Sequence, residues 1–304
     1  MSSIKEMSPL ASYPWPSLPG ARPLSPTWDG NTFRLSDQTS RSVLTYAENT
    51  SHWSEELTSL HEEEGGNGEH PIDLASRKLA LRSVDGKFHG SQGIVLDVGC
   101  SSGFFLRDLR AAHPAQAVIG ADYIAGPLQR LVQKLPDTPL LQFDLRCCPL
   151  PSDSIDAVVC LNVLEHIDDD RKALTEIYRI LKPGGIAHIE VPAGPSCYDI
   201  YDEHLMHHRR YTMSELREKA LTAGFQIQSR THLGAFVFPA FYAIKRRNRR
   251  WLTLPSEQKA EKVRTMMRST RQNPLVALAM KLELELHRIL RYPVGIRCVI
   301  CLRK

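Results

Sequence analysis

The run Ile94-Val95-Leu96-Asp97-Val98-Gly99-Cys100-Ser101-Ser102-Gly103-Phe104-Phe105-Leu106 constrains this chain more than any other stretch. Branched apolar residues over 94–98 predict a short strand buried on both faces. A turn of small residues follows, then an apolar-periodic helix over about 103–112. Such a turn lets a ligand press on the backbone where a Cβ would collide. The free N–H groups that open the next helix face the same ligand. Together they predict a nucleotide-type pocket at the carboxyl end of the first strand of a parallel sheet.

The kind of nucleotide is narrowed by what surrounds the glycines. A dinucleotide fingerprint places glycine at three positions that here hold Gly99, Ser101 and Phe104, and a phenylalanine at the third obstructs close helix–strand packing. Asp97 lies within the turn, where a carboxylate repels a pyrophosphate but can organise a loop around a cationic amino-acid end. A second acid, Asp122, closes the run Val118-Ile119-Gly120-Ala121 and sits 25 residues after Asp97. Its two oxygens suit the paired hydroxyls of a ribose. A third, Asp144, follows Leu140-Leu141-Gln142-Phe143, where it can accept from an adenine amino group. Singly, each is an ordinary strand-end residue or helix cap; at three successive strand ends they point to one ligand.

From Ile94 onward, strands and helices alternate, which predicts a doubly wound α/β fold. Strands are expected near 94–98, 117–121, 140–143, 155–161, 185–191 and 226–231, with a last one over 294–302. Helices are expected near 103–112, 126–134, 170–181 and 213–223, the last opened by a Thr212/Glu215 capping box and stopped at Gly224. Over about 93–231 the chain resembles the core of class I S-adenosylmethionine-dependent methyltransferases, especially the type 11 small-molecule branch. The resemblance rests on Asp97-x-Gly99-x-Ser101-x-Gly103, Asp122, Asp144, the 161–166 segment and Leu181-Lys182-Pro183-Gly184-Gly185. Serine at the middle glycine position departs from the family pattern. The resemblance implies a mostly parallel, seven-stranded Rossmann-like sheet and S-adenosylmethionine as cofactor. It implies that Gly99, Cys100, Ser101 and Gly103 meet the methionine part and Asp122 the ribose. Asp144 and Leu145 would meet the adenine with Tyr123 stacked beside it, and Leu161 and Asn162 would complete the pocket.

Methyl transfer from a sulfonium needs alignment above all, with a base only for a hydroxyl or an acidic carbon. Two places offer one. His166 follows the fourth strand; the run Tyr201 to Tyr211 follows the fifth and contains His204, His207, His208 and Tyr211. An imidazole exchanges protons near neutral pH. The bland reading is that these are hydrogen-bonded structural residues and that Arg209 and Arg210 pair with nearby acids. No metal is expected, because His207 and His208 are adjacent and no second ligand cluster is evident.

Residues 1–40, rich in Pro and Ser, read as a disordered arm. Residues 41–90 read as N-terminal helices able to form a lid: one over about 42–63 with Trp53, Leu57 and Leu60 at helical spacing, another opened by His70-Pro71. Residues 235–292 read as a basic, helical insertion before the last strand, in which Leu275, Leu278, Leu282, Leu286 and Ile289 form an apolar stripe. The apolar segment 234–244, followed by Lys245-Arg246-Arg247-Asn248-Arg249-Arg250, permits peripheral contact with an anionic membrane through 234–250.

A net charge of +4 is too mild to imply nucleic acid. The segment after the fourth strand also lacks the Asn/Asp-Pro-Pro-Tyr turn of enzymes acting on exocyclic base amines, and no Pro-Cys nucleophile motif is present. The expected acceptor is therefore a small molecule. Rival readings are a nucleic-acid or lipid acceptor, or a protein that binds the donor without turnover. Seven cysteines without an apolar leader fit reduced thiols and a cytoplasmic setting. Cys298 and Cys301, three apart on a strand, should point to opposite faces.

Overall fold

The computed structural model describes residues 9–47, 68–271 and 273–304. Its centre is an eight-stranded sheet of β4 (Val43–Thr45), β5 (Ile94–Val98), β6 (Ala117–Asp122), β7 (Leu140–Gln142), β8 (Ile155–Leu161), β9 (Leu181–Pro192), β10 (Gln226–Leu233) and β11 (Arg297–Arg303). The order across the sheet is β10-β11-β9-β8-β5-β6-β7-β4, and β11 alone runs antiparallel to its neighbours. The seven expected strands are all present. The eighth, β4, pairs parallel with β7 and caps that edge, Val43 opposite Leu140 and Thr45 opposite Gln142.

Helices cover both faces. On one lie α1 (Pro71–Phe88), α2 (Phe104–Ala112) and α3 (Ala125–Lys134), burying Ala80, Val84, Leu106, Leu109, Leu128 and Leu131 against Val95 and Val118. On the other lie α4 (Asp170–Ile180) and α6 (Met213–Thr222), whose Leu174, Ile177 and Leu216 meet Leu96, Val158 and Ile189. Cys298 falls in the second cluster and Cys301 in the first, on opposite faces as the strand period requires.

Residues 9–40 of the Pro/Ser-rich arm carry strands and buried aromatics, contrary to the compositional expectation. A small antiparallel sheet of β1 (Pro26–Trp28), β2 (Phe33–Leu35) and β3 (Ser40–Arg41) packs its aromatics into the main core. Tyr13, Trp15, Trp28 and Phe33 are buried, with Phe33 4.7 Å from Trp28 and 4.9 Å from Trp15, ring centre to ring centre. Four aromatics supply enough apolar area to outweigh the ordering of a proline-rich segment. Phe33→Ala should therefore lower unfolding stability by about 3–5 kcal/mol in urea titrations; a free arm would leave the midpoint unchanged.

The helix expected over 42–63 is not formed over 42–47, where 43–45 is strand; residues 48–63, with Trp53, Leu57 and Leu60, lie outside the described residues. His70 does open α1, its Nδ1 accepting the Ile72 N–H at 3.3 Å. Before β11 come α7 (Phe238–Asn248), α8 (Ser256–Arg271) and α9 (Pro274–Leu286). Met280, Glu283 and Leu284 turn α9 inward, while Leu275, Leu278, Leu282, Leu286 and Ile289 are 36–78% exposed. This helix is apolar on two sides, and its leucine stripe is the side left outward. No helix among the described residues is long and apolar enough to cross a membrane.

Candidate functional site

The carboxyl ends of β5, β6, β7 and β8 open into one cavity of about 750 Å³. The turn after β5 enters it through Gly99 and Ser101. Gly99 has φ +76°, and a Cβ there would stand 2.3 Å from Val163. Asp122 holds this turn from below: Oδ2 accepts the Ser101 N–H at 2.8 Å, and Oδ1 accepts the Ile124 N–H at 2.9 Å.

Of the proposed donor-binding residues, Gly99, Ser101, Asp122, Tyr123, Asp144, Leu145, Leu161 and Asn162 line this cavity. Asp97, Cys100 and Gly103 are not on its wall. Cys100 is buried, its thiol facing Gly120, and burial pushes its pKa up. Gly103 has φ +75°, and a Cβ there would also meet Leu131 at 2.5 Å; it serves the packing of the turn on α3. Asp97 is buried beneath the turn, and its Oδ2 has no hydrogen-bond partner among the described residues. Burial, with Asp122 adding repulsion, pushes its carboxyl up to about 8. Asp144 is clasped by Arg146, whose Nε and Nη2 donate to it at 3.0 and 2.7 Å. Burial raises that carboxyl, but the Arg146 hydrogen bonds outweigh it and hold Asp144 below the usual range.

The histidines divide. His166, His207 and His208 line the cavity; His204, on the short helix α5 (Ile200–His204), does not. Tyr211 is not at the cavity either. It is fully buried, and its hydroxyl donates to Asp170 Oδ2 at 2.7 Å, with the Leu164 carbonyl at 3.1 Å. That bond ties the turn carrying His166 to the start of α4, so Tyr211 positions rather than reacts. Tyr211→Phe should cost about 1–3 kcal/mol of stability in chemical denaturation, with donor affinity retained.

Behind His207 stands a buried charge network. Asp202 accepts from His207 Nδ1 at 2.9 Å, Arg210 Nη1 at 2.8 Å and Lys245 Nζ at 3.0 Å. Asp199 accepts from Lys245 Nζ at 2.6 Å and Asn248 Nδ2 at 3.0 Å. The first member of the basic run thus points inward, and α7 is pinned over the cavity with Phe241 and Ile244 on its wall. Arg246, Arg247, Arg249 and Arg250 remain exposed. Arg210 also donates to the Ala193 carbonyl at 2.8 Å, and Arg209 pairs with Asp170 at 2.9 Å, which satisfies the bland reading of both.

One cavity residue escaped sequence reasoning. Glu165 is 0% exposed, lines the cavity, and neither carboxylate oxygen has a hydrogen-bond partner among the described residues. Burial pushes it up to about 8, only partly countered by the charges of Arg297 and Arg210. The signal was an acid beside a histidine in a segment whose Val163, Leu164 and Ile167 read as core.

Residues 96–189 match a family described as "Methyltransferase domain". Over 144 residues the chain is 33% identical to a "Probable S-adenosylmethionine-dependent methyltransferase" of Mycolicibacterium smegmatis, covering 47% of this chain and 54% of that protein. Over 98 residues it is 33% identical to the trans-aconitate 2-methyltransferase of Azoarcus sp., covering 32% of this chain and 38% of the other. The chain spans about half the length of curated relatives such as the first. The phosphoethanolamine N-methyltransferase 2 of Haemonchus contortus, solved in complex with S-adenosyl-L-methionine, shares the fold. Its TM-score is 0.55 at 18% identity, over 84% of this chain and 58% of that one. Over residues 96–189 the chain is thus similar to a methyltransferase domain, and its relatives over that stretch include S-adenosylmethionine-dependent methyltransferases.

Proposed function

We propose that the chain transfers the methyl group of S-adenosylmethionine to a small molecule held beside the histidines. The observation that carries this reading is that strand-end carboxylates and histidines share one cavity. The donor fits its wall. In this reading Gly99 brings backbone close without a Cβ, Asp122 is the carboxylate that meets the ribose, and Asp144 with Leu145 meets the adenine edge. When bound, the donor supplies an activated methyl group on sulfur. The protein's part is to exclude water and align an acceptor atom at roughly 3–3.5 Å from the methyl carbon.

A small acceptor is favoured by the roof. Phe241 and Ile244 sit on α7, which buried ion pairs from Lys245 to Asp199 and Asp202 hold in place, and a nucleic-acid duplex would have to break them. A cavity of about 750 Å³ suits a nucleoside-sized donor with a compact acceptor. The trans-aconitate enzyme is named for a small acceptor too. The acceptor atom is oxygen, nitrogen or carbon.

The test is incubation with methyl-labelled donor and fractionated host extract, with the labelled product identified by mass spectrometry. Label in a small molecule is expected; label in nucleic acid or lipid only, or none despite donor binding, would overturn the proposal. Alanine at His207 or His208 should lower turnover at least about tenfold, within the range of one lost catalytic group, while donor affinity in calorimetry stays unchanged. Unaltered turnover in both would retire this loop from the chemistry.

A further inference from the structure

His207 and His208 alone offer one ligand cluster, which is why the sequence pointed away from a metal. Folding supplies a second. The turn after β8 carries Glu165 and His166 to the same place, and one ligand atom from each of Glu165, His166 and His207 lies within 4.8 Å of the others. The Glu165 carboxylate, buried and without a hydrogen-bond partner among the described residues, is a costly arrangement for a protein to keep. His207 Nδ1 is engaged by Asp202 at 2.9 Å, which fixes the ring and leaves Nε2 to face a ligand. A carboxylate behind an imidazole is the usual outer support of a metal-bound histidine. The two imidazoles meet edge to face, their centroids 4.7 Å apart and their planes at 79°.

We propose that Glu165, His166 and His207 hold one divalent first-row transition cation, which in turn binds an acceptor through a carboxylate or hydroxyl oxygen. The proposal rests on the reading of the cavity given above. Two imidazoles and one carboxylate suit such a cation and leave coordination positions open to oxygen ligands. The positive charge answers the buried Glu165 carboxylate, and the open positions orient the acceptor in the cavity the donor shares. The acceptor class is therefore a compact, oxygen-rich molecule.

Full-length protein, freed of metal by a chelator, should be titrated with Co²⁺ by calorimetry and visible absorption. One equivalent is expected, with the bands of nitrogen and oxygen ligation. Glu165→Gln and His207→Gln should each weaken uptake at least tenfold, whereas Cys147→Ser, which removes an exposed thiol, should leave it unchanged. A wild-type protein that takes up no Co²⁺, or shows thiolate bands, overturns the proposal whichever variants fold. Unchanged affinity in both ligand variants does the same. Titrating S-adenosylmethionine into the same metal-free protein separates the two ideas: donor binding without Co²⁺ uptake removes the cation alone, and absent donor binding removes the reading of the cavity.

Discussion

Asp122→Ala is expected to weaken S-adenosylmethionine binding by about a hundredfold, close to 2.8 kcal/mol at 1.4 kcal/mol per decade. Two losses add. The alanine removes the carboxylate assigned to the ribose hydroxyls in the proposed site, and hydrogen bonds to a charged group are worth about 1.5–3 kcal/mol. It also releases the turn, because Asp122 accepts the Ser101 N–H at 2.8 Å and the Ile124 N–H at 2.9 Å. Asp122→Asn separates the two, since its amide oxygen can still accept one of those N–H groups while the second acceptor becomes a donor. Its affinity should fall between wild type and alanine. Calorimetry reads both; near-wild-type affinity for the alanine variant would sink the placement of the ribose.

How much of this was legible depended on whether a residue's partner was close in sequence. The strand ends were readable because a buried parallel strand is a run of branched apolar residues, and the acids stand where those runs stop. Asp122 and Asp144 could therefore be placed from the pattern alone. Glu165 could not, since its meaning comes from His207, brought against it across the sheet's rim by the 205–211 loop. Tyr211 misled for the same reason. A tyrosine in a polar run reads as available for chemistry, yet its hydroxyl is consumed by Asp170, 41 residues away in sequence. Lys245 looked like the start of an exposed basic run and is instead the cation that Asp199 and Asp202 require. The N-terminal arm shows the limit of composition: proline and serine describe the backbone's cost, but Trp15, Trp28 and Phe33 decide whether it is met.

Asp97 should make stability depend on pH in a way that one substitution removes. Its carboxyl, ordinarily near 3.8, is pushed up to about 8 by burial and then by the charge of Asp122; the other titratable groups facing it are the buried thiols of Cys100 and Cys160. The folded state therefore holds a proton that the unfolded state releases near pH 4. Its contribution is fully present below about pH 4, is lost progressively as pH rises, and is gone once pH passes about 8. Asp97→Asn keeps the shape and cannot ionise. The stability difference between the variant and wild type should thus grow in the variant's favour by on the order of 1 kcal/mol per pH unit between pH 5 and 8, read from urea midpoints. A difference that stays constant over that interval would mean the carboxyl is already ionised in the folded protein. Donor affinity gives the complementary reading. In the proposed site the donor's cationic end lies over the turn that covers Asp97 and would favour the ionised acid, so wild-type affinity should climb toward pH 8 with release of a proton, seen as a buffer-dependent heat. In Asp97→Asn that climb should vanish and affinity should be low throughout. An acid that costs the empty fold stability as pH rises and gains it back under a cationic donor would fit the turn of the proposed site.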